Sequence, residues 1–302
     1  MSKIFQILLK FLAVGILLPI LCYVFLIIVN FNDEAKSNKV IEFEKFLAQR
    51  AIIDDANNGF VYAVGLSASP ELDFYVAGVE RIKHINRIDS LTTSISPDYL
   101  NNVAVRKHYD LILMGCGSPL QLNAACHEYL LSKTQEIDQM LADSTVLLQR
   151  YQVMMKQKSW YESIQYNVYN NASVHAPWSF AHRVLMLQIW REAAKGNINT
   201  VTQGLQQDST FLRNSLLSTH SLVNFSISAA LLKQNYQWGR FALRNFPEKE
   251  IEQVLPSEWF NSHIDQAFSF ENVVMGEWQF GSTILQEMFH NDEWQTFFLK
   301  PL

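Results

Sequence analysis

Residues 120–155 read LQLNAACHEYLLSKTQEIDQMLADSTVLLQRYQVMM, and this stretch decides the fold class. Its apolar residues, Leu122, Cys126, Leu130, Leu131, Ile137, Met140, Leu141, Leu147, Leu148, Tyr151 and Met154, recur at helical spacing, which gathers them on one face. Neither glycine nor proline interrupts the run, so it predicts helix, with room for a break near Ser132-Lys133-Thr134. Just upstream, Ser118-Pro119 predicts the start: a capping hydroxyl followed by a proline at the first helical position.

Working outward, a second helical block opens at Pro177 and carries Phe180, Val184, Leu185, Leu187, Ile189 and Trp190. Lys195-Gly196-Asn197 is a helix stop, with a cation in the last turn and glycine beyond it. Further helices are predicted over 198–218 and 220–243, then a short acidic helix between Pro247 and Pro256, then one from Glu271 to Phe289. Upstream, helices are predicted from Val40 to Ala51 and from Asp73 to Ile88. Gly59–Leu66 fits a short buried strand or a buried helix equally well. Residues 89–118 predict loops, with a strand or short helix around Tyr109–Met114. Short connections make successive helices antiparallel neighbours. The expected class is therefore predominantly all-α: an N-terminal transmembrane helix, then an antiparallel helical-hairpin stack of TPR-like kind, although no fixed period recurs.

Composition agrees. With 49% hydrophobic and 13% aromatic residues the chain has ample material for a core, which excludes disorder. Eleven Gly and eight Pro are too sparse for a many-turned β-sandwich, and three Cys exclude a disulfide-dense miniprotein. A net charge of −5 gives no reason to propose nucleic acid as a partner.

Residues 11–29, FLAVGILLPILCYVFLIIV, carry no charge and are long enough to cross a hydrocarbon core. Lys3 and Lys10 precede them, and Asp33 and Glu34 follow; although Lys36 and Lys39 lie on the far side, the balance slightly favours a cytoplasmic N-terminus. The exit, Val29-Asn30-Phe31-Asn32, lacks the small-x-small pattern of a cleaved signal peptide. Leu21 before Cys22 does not suit a lipoprotein, and Pro19 is tolerated within a span. The resulting plan is a cytoplasmic 1–10, a span at 11–31 facing the lipid bilayer, a linker at 32–39 and an exported helical domain at 40–302, with room for a sub-boundary near 158–177. In an oxidising compartment Cys116 and Cys126 read as a disulfide joining a glycine-rich turn to the next helix.

The search for chemistry finds little. The eight His form no HExxH or other metal-ligand spacing, and no P-loop or GxGxxG is present, so neither metal nor cofactor is expected. Gly65-Leu66-Ser67-Ala68-Ser69 lacks the second glycine of a nucleophile elbow. The densest polar–aromatic cluster is Trp178, His182, Arg183, Trp190 and Arg191, which suits a partner-binding patch. The competing reading makes the Trp residues core and has Arg and His satisfying helix ends or nearby carboxylates. The chain ends on apolar residues, Trp294 to Leu302, which would dock on their own domain or on a partner.

Asn58-Gly59-Phe60-Val61-Tyr62 with Gly65-Leu66, the Cys116/Cys126 pair, Arg150-Tyr151, His182-Arg183 and then Leu205, Asp208 and Phe211 resemble an uncharacterised family of Gram-negative single-pass inner-membrane proteins with a helical exported domain. The resemblance implies location and a helical fold, and no activity. The expected role is a periplasmic scaffold or assembly factor acting on an unknown protein partner. Two alternatives stand beside it: an immunity-type protein that neutralises an exported toxin, and an envelope hydrolase with dispersed catalytic residues.

Overall fold

A computed structural model describes residues 15, 17–25, 37–49, 55–86, 103–117, 120–164, 176–260 and 270–290. The chain divides into two units, residues 1–52 and 53–302. In the first unit, residue 15 and residues 17–25 are helical, and Leu17, Leu18, Ile20, Leu21, Tyr23 and Phe25 are exposed along them. Helix α1, Asn38–Gln49, follows, so helix begins inside the expected linker. Among the described residues no helix is long and apolar enough to cross a membrane. Much of the 11–31 span lies outside those residues, as do 1–10 and 32–36.

The second unit opens on α2, Gly59–Gly65, which resolves the strand-or-helix ambiguity in favour of helix. Asn58 decides it locally. Its Oδ1 accepts the Phe60 amide at 3.1 Å and the Tyr161 amide at 2.8 Å, and its Nδ2 donates to the Tyr161 carbonyl at 2.7 Å. One buried side chain thus caps the helix and pins it to a distant strand-like segment, next to a parallel bridge between Asn58 and Ser159. Helix α3, Phe74–Ile85, starts from Asp73, whose carboxylate accepts the Val76 amide at 3.0 Å. Helices α2 and α3 cross at glycine: a Cβ on Gly65 would lie 1.7 Å from the Phe74 carbonyl oxygen, and one on Gly78 2.1 Å from that of Val61.

The region expected to be loop, with a strand or short helix around Tyr109–Met114, contains the longer helix α4, Val103–Leu113, where apolar Val105, Tyr109 and Ile112 face the core. Those three positions fall at helical spacing, but the polar residues upstream hid them. Residues 87–102 lie outside the described part. A 3-10 turn, Met114–Cys116, leads to Cys126, to which Cys116 is disulfide-bonded. Both sulfurs are buried. Closing so short a loop contributes about 3 kcal/mol in the chain-entropy view.

The long helical stretch is helical, but in three pieces: α5, Ala124–Ser132, α6, Thr134–Asp143, and α7, Thr145–Met155. It starts later than Ser118-Pro119 predicts, two residues that lie outside the described part. The N-cap is Asn123, whose side chain accepts the Cys126 amide at 3.0 Å. The first break falls at Lys133, where expected. The second, at Ser144, has a local cause: the buried hydroxyl bonds the Met140 carbonyl at 2.7 Å, which bends the chain and lets it turn.

Helices α8, Ala176–Ala194, α9, Ile198–Ser218, and α10, Leu222–Ala242, form the centre of the unit. The α8–α9 turn is made at Gly196, whose φ of +79° is the left-handed conformation glycine adopts without strain. Each of the three helices contacts the other two, and α7 lies against α8. Trp178, Trp190, Trp238, Tyr151 and Phe241 are fully buried among them. Short α11, Ile251–Val254, packs on α9, and α12, Glu271–His290, contacts α10. The described residues contain no strand.

Candidate functional site

The five residues of the sequence-based patch do not form one exposed surface. Trp178, His182 and Trp190 are buried, so this fold gives them to the core. Arg183 is half-buried over the Phe180 ring at 5.8 Å. Arg191 forks onto Asp138, with Nε and Nη2 at 2.9 and 2.8 Å from its two oxygens. The reason is geometric: α8 is enclosed by α7, α9 and α10, leaving few outward positions.

His182 instead belongs to an interior polar cluster. Asp208 Oδ1 accepts the Tyr151 hydroxyl at 2.7 Å and lies 3.2 Å from His182 Nδ1, while Asp208 Oδ2 accepts the Asn235 amide at 2.9 Å. All four side chains are fully buried and come from four helices, α7 to α10. Burial, and then the adjacent Asp208 carboxylate, push the Tyr151 hydroxyl well above its ordinary pKa, so it stays a hydrogen-bond donor. Sealed from solvent, the cluster fixes the register of the helices.

Arg150 does similar work. Its guanidinium donates to the carbonyls of Leu66, Ala68, Ser69 and Leu72, and lies 5.4 Å from the Phe74 ring. One side chain therefore holds the whole α2–α3 turn.

Among the described residues two concave features stand out. The first is a groove of about 520 Å³ along α9, closed at one side by Met155, Lys156 and Gln253. Asn199, Gln203, Gln206 and Gln207 line it, because offsets of four, seven and eight put them on one helical face. No side chain among these four, nor that of Gln253, is hydrogen-bonded to a described residue.

The second is a cavity of about 510 Å³ lined by Tyr109 of α4, Leu120 and Leu122 before α5, Arg183 of α8, and Gln234, Gln237, Trp238, Arg240, Phe241 and Arg244 of α10 and the 3-10 turn after it. Among the described residues its lining has three guanidiniums and no carboxylate. Their field is felt nearby: Arg244 adds to burial in lowering the His127 pKa, and Arg183 opposes the burial that raises the Tyr109 hydroxyl.

Sequence reading found Arg183 and missed the others. The signals were present but weak: a run of amides, Gln203, Gln206 and Gln207, on one helix face, and Arg240 and Arg244 one turn apart. No protein-family model, curated protein or solved structure matches this chain.

Proposed function

We propose that this chain is a membrane-anchored protein of the bacterial envelope that acts through protein–protein contact, as a scaffold or assembly factor. In this reading residues 11–31 anchor it in the inner membrane, the N-terminus is cytoplasmic and the helical unit is periplasmic, in keeping with the single-pass family it resembles. The hairpin order of α8, α9 and α10 supports a TPR-like stack. The anchor is supported by the uncharged run at 11–29 and by the exposed apolar side chains of helical residues 17–25.

The observation that carries the contact role is the amide-lined groove on α9. The described α9 side chains in this groove are all amides and hydroxyls, with no charged group among them. An amide presents a donor and an acceptor together, the same pair a peptide bond presents, so a row of them is complementary to an extended polypeptide backbone. Among the described residues the groove offers no aromatic ring for stacking on a sugar, which favours a peptide over a glycan.

The test is site-specific photo-crosslinking in intact cells with the reactive group at Gln207, compared with exposed Lys233 on α10. A discrete protein adduct from position 207 alone, lost with Gln203→Ala and Gln206→Ala together, supports the role. Adducts equal at both positions, or none at 207, overturn it.

A further inference from the structure

Every other arginine with a described hydrogen-bond acceptor shows how this protein occupies a guanidinium's N–H groups. Arg81 donates to the Val64 carbonyl and the Ser67 hydroxyl, Arg150 is wrapped by loop carbonyls, Arg191 is forked onto Asp138, and Arg213 donates to the Tyr236 hydroxyl at 2.7 Å. The cavity between α4, α8 and α10 departs from that pattern. Arg240 and Arg244 donate to no described residue, and Arg183 uses one N–H, toward the Ser179 carbonyl at 3.4 Å. No ion pair joins any of the three to a described carboxylate. Beside the cavity, Arg106 lies 5.2 Å from the Phe180 ring, on the same ring as Arg183, and likewise has no ion pair to a described carboxylate.

Holding three guanidiniums around one apolar-walled cavity is unfavourable through their mutual repulsion, which water screens at exposed Arg240 and Arg244 and less so at half-buried Arg183. In a chain with 29 acidic residues against 24 basic ones, an acid was available to relieve the repulsion, as Asp138 does for Arg191. Attraction of Arg240 and Arg244 to the C-terminal end of the α10 dipole explains two of the cations, but not Arg183, which lies on α8. All three are arginine rather than lysine, and arginine is the side chain whose planar fork grips two oxygens at once. Trp238, Phe241 and Leu122 give the same cavity an apolar wall, and its volume suits a small organic molecule.

We infer that this cavity binds a small organic oxyanion carrying at least two negative charges and an apolar body, with Arg183, Arg240 and Arg244 gripping the charged group and Trp238 and Phe241 flanking the rest. The charged group is a carboxylate pair or a phosphate, which share the oxygen geometry an arginine fork reads. The site lies apart from the α9 groove, so this inference stands or falls independently of the contact role.

The experiment is titration calorimetry on the full-length protein in detergent at 150 mM salt, with phenyl phosphate, phthalate and inorganic phosphate as probes. Variants are Arg240→Gln with Arg244→Gln, both exposed positions that leave the core intact, and Lys233→Gln as a matched loss of charge outside the cavity. Saturable binding of phenyl phosphate or phthalate, tighter than inorganic phosphate and weakened about tenfold or more by the double substitution but not by Lys233→Gln, is expected. Whichever organic probe binds better identifies the charged group. Absence of saturable binding by both organic probes, or equal weakening by Lys233→Gln, would overturn the assignment.

Discussion

At the scale of single residues, this protein spends its polar side chains on organising helices, and Asp208 is the clearest instance. A carboxylate removed from water is strongly disfavoured unless its oxygens are saturated by donors. Here Tyr151 and Asn235 donate from two other helices, and His182 approaches from a third. Sequence reading left His182 between a partner-binding patch and a role satisfying a nearby carboxylate, because helical spacing shows which residues share a face and not what that face meets. Arg191 illustrates a surface pair with a pH signature. The Arg191 hydrogen bond holds the Asp138 carboxyl below its ordinary 3.8, against an opposing contribution from burial. Since the folded-state pKa is depressed, the pair stabilises the protein above pH 3.8 and loses that contribution as pH falls through the folded-state value. Asp138 is 45% exposed, so solvent keeps the effect below about 1 kcal/mol. Urea melts of Asp138→Asn against wild type should show a small deficit at pH 7 that closes below pH 3.8.

At the scale of elements, type was far more legible than extent. The apolar period of 120–155 marked helix correctly, yet three helices stand where a single break was expected. The unforeseen break depends on the Ser144 hydroxyl turning inward to Met140, and a serine facing solvent would leave the same period intact. Glycines at the α2–α3 crossing are a second tertiary choice. At Gly78 an added methyl meets the Val61 carbonyl, which is backbone and yields only if the helices part. At Gly281 in α12 nothing lies within 4 Å of the same methyl. Gly78→Ala should therefore lower stability by about 2–3 kcal/mol through overpacking. Gly281→Ala should leave stability unchanged or raise it by about 0.5–1 kcal/mol through reduced unfolded-chain freedom. Thermal melts of the two variants measure the contrast, and equal destabilisation would contradict the close crossing.

At the scale of the whole molecule, the chain is two units, and the proposed anchor belongs to the first. Its placement is tested by adding protease to spheroplasts. Cleavage of the helical unit alongside an external marker, with a tag at the extreme N-terminus protected, is expected. Protection of the helical unit would remove the compartment and the envelope role together. The disulfide between Cys116 and Cys126 fits an oxidising compartment.

By itself the sequence determined the helical class, the cystine pair, the α8–α9 turn at Gly196 and the bounds of α9, because each is written in local spacing or local backbone preference. It also held the uncharged run on which the anchor proposal rests. Only the tertiary structure decided that Trp178, His182 and Trp190 are interior, that Arg150 clamps a loop some eighty positions upstream, and that Arg183 shares a cavity with Arg240 and Arg244. Those outcomes depend on which helix faces meet, a choice made by the packing of many side chains at once and carried by no short stretch of chain.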